Sequence, residues 1–131
     1  MILLDTHVLL FLVSNPKRLS TVATRAIARA ETADGVAVAS ITLWEIALLI
    51  DNGRISIAGS TEGFLKQIAE RPGLSVLELT PEIAALAFQF PSDFPGDPAD
   101  RIIAATARAH GLPLVTKDQR IQDSKLLKTI W

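Results

Sequence analysis

Short apolar runs separated by helical patterns constrain this chain most. Ile2-Leu3-Leu4 reads as a buried strand, Val36–Ala39 as a second, and Leu114–Thr116 as a third. Leu74–Leu79 alternates and is β-like, and Leu127–Trp131 is expected as a last edge strand. Helical stretches lie between them. Thr6–Val13 turns helical and stops before Asn15-Pro16. Ser20–Ala33 carries Ser20 as cap, with Val22, Ala23, Ala26, Ile27 and Ala30 on one face. A helix capped by Ser40 or Thr42 runs to Asp51-Asn52-Gly53, and Thr61–Glu70 is another. Thr80-Pro81-Glu82 starts a further helix that ends before Pro91, and Ala99–His110 is the last. Strands that alternate with helices imply right-handed parallel crossovers and a three-layer α/β/α sandwich with a mainly parallel sheet.

The 131 residues fit a single domain, 1–131, large enough to bury a core. Apolar residues make up 49% and aromatic residues only 5%, so that core is built of Leu, Ile, Val and Ala. A formal net charge of −1 gives no overall basic field, and any nucleic acid would have to meet a local patch. With no Cys, disulfides and thiolate metal sites are excluded, which fits a reducing compartment. Neither a targeting signal nor a membrane span is legible, so a cytoplasmic protein is the expectation.

Four acids fall where a strand stops or a helix starts. Asp5 ends the first strand, Glu45 lies just beyond the second, Asp100 is in the opening turn of the last helix, and Asp118 follows Leu114–Thr116. In open parallel sheets such positions converge at the carboxyl ends of the strands. Clustered carboxylates need a counter-charge to stay ionised, and for an all-oxygen site a hard divalent cation, Mg²⁺ or Mn²⁺, supplies it. Such a site points to metal-assisted phosphodiester chemistry.

Each acid also has a plain structural alternative. Asp5 is a good helix cap, and Thr42-Leu43-Trp44-Glu45 fits a capping box. Asp97-Pro98-Ala99-Asp100 fits a helix start with Asp97 as cap, and Asp118 fits a turn. It is their shared edge of the sheet that favours a joint site. His7 and His110 lack metal-ligand spacing and read as local polar residues. There is no phosphate-binding glycine loop and no nucleophile elbow. His7 stands where a haloacid-dehalogenase phosphatase would carry its second Asp, and a receiver domain would need an acidic pair after the first strand. Trp44 and Trp131 read as core or interface residues, and Ile46–Ile50 as an apolar surface for association.

Three segments carry a resemblance: MILLDTHVLL, ASITLWEIALL and GDPADRIIAATARAHGLPLVTKD. Together they resemble a PIN-domain ribonuclease of the VapC type, the toxins of bacterial toxin–antitoxin pairs. The resemblance spans the chain and implies Asp5, Glu45, Asp100 and Asp118 as the acidic set, with Asp97 as a further metal ligand or only a helix cap. Many relatives carry His-Arg or a similar pair before Asp-Pro, where this chain has Pro95-Gly96, a departure that bears on substrate preference.

The resemblance and the acidic set together imply Mg²⁺- or Mn²⁺-dependent RNA cleavage. Asp5, Asp100 and Asp118 would hold one or two ions, with Glu45 as ligand or water-positioning base. Thr6 and Thr116 would orient the acids, and Lys117, Arg120, Arg101 and Arg54 are candidates for touching RNA backbone, with solvated surface charge as the alternative for each. The resemblance further implies a homodimer and a protein antitoxin from an adjacent gene. A phosphatase or DNA nuclease using the same acids, and a non-catalytic binding partner, are the alternative functions.

Overall fold

The computed structural model describes residues Met1–Trp131. Five strands, β1 (Ile2–Leu4), β2 (Val36–Ala39), β3 (Leu74–Leu77), β4 (Leu114–Val115) and β5 (Thr129–Ile130), form one sheet in the order β3-β2-β1-β4-β5. Every pairing is parallel. Strand order runs outward from β1 in both directions, so the topological switch lies between β1 and β4. In open α/β sheets, ligand sites form at the carboxyl ends of the two strands that flank such a switch.

Seven helices connect the strands: α1 (Thr6–Ser14), α2 (Thr21–Glu31), α3 (Ile41–Asp51), α4 (Thr61–Ala69), α5 (Pro81–Leu86), α6 (Pro98–His110) and α7 (Gln119–Gln122). Successive strand residues face opposite sides, which divides the core in two. Ile2, Leu4, Val36 and Val38 pack against Val8, Leu9, Ile27, Ile46 and Ile68. Leu3, Ala37, Ala39 and Leu114 pack against Ile83, Ile103, Ala104 and Ile121. The α/β/α layering expected from the alternating elements is therefore present.

Local signals set the helix ends. Ser20, Ser60 and Thr80 accept the N–H groups of Ala23, Gly63 and Ile83 through their side chains. Pro98 occupies the first helical position of α6. Gly111 closes that helix at φ 64°, the left-handed conformation that glycine adopts without penalty.

Some expectations are corrected. Val22 is 57% exposed, because the buried stripe of α2 runs through Ala23, Ile27 and Ala30. Ser40 takes the N-cap position of α3 without a side-chain cap bond, and the buried Thr42 hydroxyl turns toward α1. The run Ile46–Ile50 is not a surface as a whole. Ile46 is fully buried, and the outward apolar face of α3 is made by Trp44 and Leu48, four residues apart and both exposed. Trp131, by contrast, packs against the first core. The short α7 is a helix that the sequence pattern does not announce. No helix is long and apolar enough to cross a membrane.

Gly35 is the tightest backbone position. It has φ +88°, and a Cβ there would lie 3.0 Å from the carbonyl oxygen of Gly73. That oxygen accepts the Val36 N–H that opens the β2 ladder. Gly35→Ala is expected to cost about 1–2 kcal/mol for the left-handed conformation, and more for the displaced ladder. Gly53→Ala, at φ +77° with nothing within 4 Å, carries the conformational cost alone. Urea unfolding of both variants checks this, and equal losses would contradict the close approach.

Candidate active site

Asp5 follows β1 directly and is buried. It caps α1, its Oδ1 accepting the Thr6 N–H at 2.8 Å, while its Oδ2 accepts the Thr116 hydroxyl at 2.7 Å. Its own N–H donates to the Val115 carbonyl at 3.0 Å, so the β1–β4 seam extends into the site. The Thr116 hydroxyl oxygen in turn accepts the Asp118 N–H at 3.1 Å. One threonine thereby sets the spacing of two acids.

Glu45 sits in the second turn of α3 and makes no capping-box bond. Its Oε1 accepts the Thr6 hydroxyl. Thr6 has one hydroxyl proton, so the 3.0 Å contact between the Thr6 and Thr42 hydroxyls must have Thr42 as donor. The relay Thr42 to Thr6 to Glu45 ties α3 to α1 through buried hydroxyls. Asp97 caps α6, its Oδ1 accepting the N–H groups of Ala99 and Asp100 at 2.9 and 3.2 Å. Asp100 stands one turn on. Carboxylate oxygens of Glu45, Asp97 and Asp100 all lie within 4.8 Å of one another.

Asp118 takes a different partner. Arg120 donates to both its oxygens, at 3.2 and 2.8 Å. These bonds hold the Asp118 carboxyl below its usual range, against a smaller opposing effect of burial. Asp100 goes the other way. Burial first, then the charges of Asp5, Asp97, Glu45 and Asp118, raise its pKa to about 7. Glu45 is also raised, by burial above all and by Asp5 and Asp97, with the Thr6 hydrogen bond opposing. The edge is thus short of positive charge wherever Arg120 does not reach.

The PIN-domain family profile matches residues 2–125. Over 132 aligned residues the chain is 44% identical to ribonuclease VapC22 of Mycobacterium tuberculosis, covering 99% of this chain and 98% of that one. This chain belongs to the PIN-domain family, among the VapC ribonucleases. Its fold also resembles that of VapBC2 from Rickettsia felis bound to a promoter DNA fragment, with TM-score 0.72 at 16% identity over 98% of this chain and 97% of that one. A toxin–antitoxin complex from Klebsiella pneumoniae gives TM-score 0.65 at 19% identity, over 97% and 95%.

In this PIN domain the five acids expected from sequence meet at one edge, though not in one cluster. Glu45, Asp97 and Asp100 converge, Asp5 lies beneath them in the hydroxyl network, and Asp118 is paired with Arg120. Thr6 and Thr116 orient acids as expected. Thr42 is a site residue that sequence reasoning missed; the signal was its position three residues before Glu45, on the same helix face. Arg101 donates one guanidinium N–H to the Phe94 carbonyl at 3.2 Å. His7 accepts the Lys117 N–H at 3.2 Å as a local polar residue.

The Asp100 carboxyl dictates a pH dependence. Its ordinary value is 3.8 and its value in the fold is about 7, so between them the folded chain keeps a proton that the unfolded chain releases. Stability from this group is fully present below pH 3.8 and is lost as pH rises toward about 7. In EDTA the melting-temperature advantage of Asp100→Asn over wild type should widen across that window and then level off. A difference that stays flat with pH would contradict the crowding of charge on Asp100.

Proposed function

We propose that this VapC-family chain, as a single nuclease domain over residues 1–131, is a Mg²⁺- or Mn²⁺-dependent endoribonuclease acting as the toxin of a toxin–antitoxin pair. The carrying observation is the convergence of Glu45, Asp97 and Asp100 at the switch edge of the sheet. The donor set fits the group: it is all hard oxygen, and burial together with four neighbouring acids raises the Asp100 carboxyl, a crowding that a cation would relieve. Glu45, Asp97 and Asp100 would hold the cation, with Asp5 and Asp118 as further acids at the same edge. Bound there, Mg²⁺ or Mn²⁺ lowers the pKa of water and balances the charge that grows on the scissile phosphate.

The chain's own groups do the positioning. The Thr42–Thr6 relay fixes Glu45 by one oxygen and leaves the other to serve either as a ligand or as the group that positions the attacking water. Asp5, pinned by two donors, keeps β1, β4 and α1 in register beneath that point. RNA as substrate is supported by the ribonuclease at 44% identity.

Asp100→Asn should abolish cleavage of RNA in Mn²⁺ while the circular dichroism of the fold is kept. Asp97→Asn retains the cap, since Asn serves as well there. It should weaken Mn²⁺ binding in calorimetric titration and leave reduced cleavage. An inactive Asp97→Asn beside a fully active Asp100→Asn would reverse the two assignments.

Control is expected from an antitoxin encoded next to this gene, in the cytoplasm. The toxin–antitoxin complexes among the structural neighbours support such a partner. An Arg or Lys of its tail would pair with the carboxylates in place of substrate. Exposed Trp44 and Leu48 offer apolar surface for a homodimer with two-fold symmetry. Light scattering should give the dimer mass, and Leu48→Glu should shift it toward the monomer. Induction of the chain alone should arrest growth and co-expression of the neighbouring gene should relieve the arrest. Undiminished arrest by Asp5→Ala would remove the catalytic explanation.

A further inference from the structure

A polar cleft of about 460 Å³ adjoins the acidic edge, between the Pro91–Phe94 turn and the segment from Arg120 to Leu126. Arg120 is the one lining residue that bonds to an acid of the site. One wall is firm. Phe90 and Phe94 are buried and stacked with centroids 4.3 Å apart, and Arg101 holds the Phe94 carbonyl. The facing wall is polar. Asp123 has one oxygen, Oδ1, fixed by the Gln119 amide at 2.8 Å, which leaves Oδ2 to accept from a ligand. The Ser124 hydroxyl oxygen accepts the Leu126 N–H at 3.3 Å, which leaves its proton to donate.

Arg120 joins this cleft to the site. Its guanidinium lies on Asp118, its side chain is 67% exposed, and it forms part of the cleft wall. A guanidinium fork fits a phosphate as well as a carboxylate, so a phosphate can replace Asp118 as its partner. In the cleft, Arg120 and Lys125 are balanced by Asp93 and Asp123, so it would not hold a polyanion by charge alone. Its size and its mixed donors and acceptors suit a single nucleoside. Unstacked RNA bases are read in just this way, by hydrogen bonds to their edges.

We propose that this cleft seats the nucleotide next to the scissile bond, that Asp123 and Ser124 read its base edge, and that Arg120 passes from Asp118 to its phosphate. The inference rests on the ribonuclease reading and adds a specificity site to it. The Asp123 carboxylate only accepts, whereas the amide of Asp123→Asn also donates, so the base preferred at one fixed position beside the cut should depend on this side chain.

Sequencing the ends cut from a random RNA pool tests this. Wild type should prefer some bases over others at one position by about tenfold, and Asp123→Asn should erase or change that preference. In a second arm, RNA carrying 5-iodocytidine is crosslinked to the whole protein in EDTA and mapped by mass spectrometry. Attachment is expected within residues 91–94 or 123–126. In the same buffer, Arg120→Gln should lower the slope of log affinity against log salt by about 0.7, one phosphate contact to a single strand. RNA cleavage with no preference to erase, and crosslinks elsewhere, would overturn the cleft and leave the nuclease standing. Crosslinks in the cleft without cleavage would keep the cleft and remove the catalytic reading. Failure of both arms would overturn both.

Discussion

Repulsion between carboxylates is the constraint around which this molecule is arranged. Burial first, and then the charges of Asp5, Asp97, Glu45 and Asp118, raise the pKa of Asp100 to about 7. Left alone, charges so close would push the edge of the sheet apart. What resists them is the two-sided packing of the parallel sheet. Leu3, Leu4, Leu114 and Val115 are fully buried immediately behind the acids. The site is rigid because the strands that carry it cannot move without opening one of the two cores.

Hydroxyl groups manage what remains. Thr116 bridges Asp5 and Asp118, and Thr6 with Thr42 holds Glu45. No buried side-chain polar atom is without a partner. Such networks are stable only when every member is satisfied, and satisfied ones specify a single arrangement. A hydroxyl can stabilise a carboxylate without neutralising it, so the hydroxyls leave the charge of the acids in place. Asp118 is the exception, since Arg120 supplies its counter-charge within the chain. The same edge therefore holds one cluster that lacks positive charge and one acid already paired.

Much of this was legible residue by residue. Apolar runs bounded by Asp, Ser and Thr marked β1, β2 and β4, and Thr80-Pro81 and Asp97-Pro98 marked the starts of α5 and α6. These signals are local: a cap or a proline acts on the backbone within one turn. Where expectation failed, the deciding contact was distant. Thr42 looked like a cap of its own helix, yet its partner is Thr6, 36 residues away. The pattern of α2 puts Val22 and Ala23 on one face, and only packing on the sheet buries Ala23 and leaves Val22 exposed.

The sequence by itself determined the order of the strands and main helices, the parallel α/β class and four acids at strand ends and helix starts, with Asp97 open between ligand and cap, because periodicity, capping and strand-end placement are written in neighbouring residues. Only the tertiary structure decided how those acids divide: Glu45, Asp97 and Asp100 as a cluster, Asp5 in the hydroxyl network beneath, Asp118 turned to Arg120. The physical reason is that side-chain charge acts across space over a few ångströms. Those distances exist only once β1, β4, α3 and α6 have packed against one another.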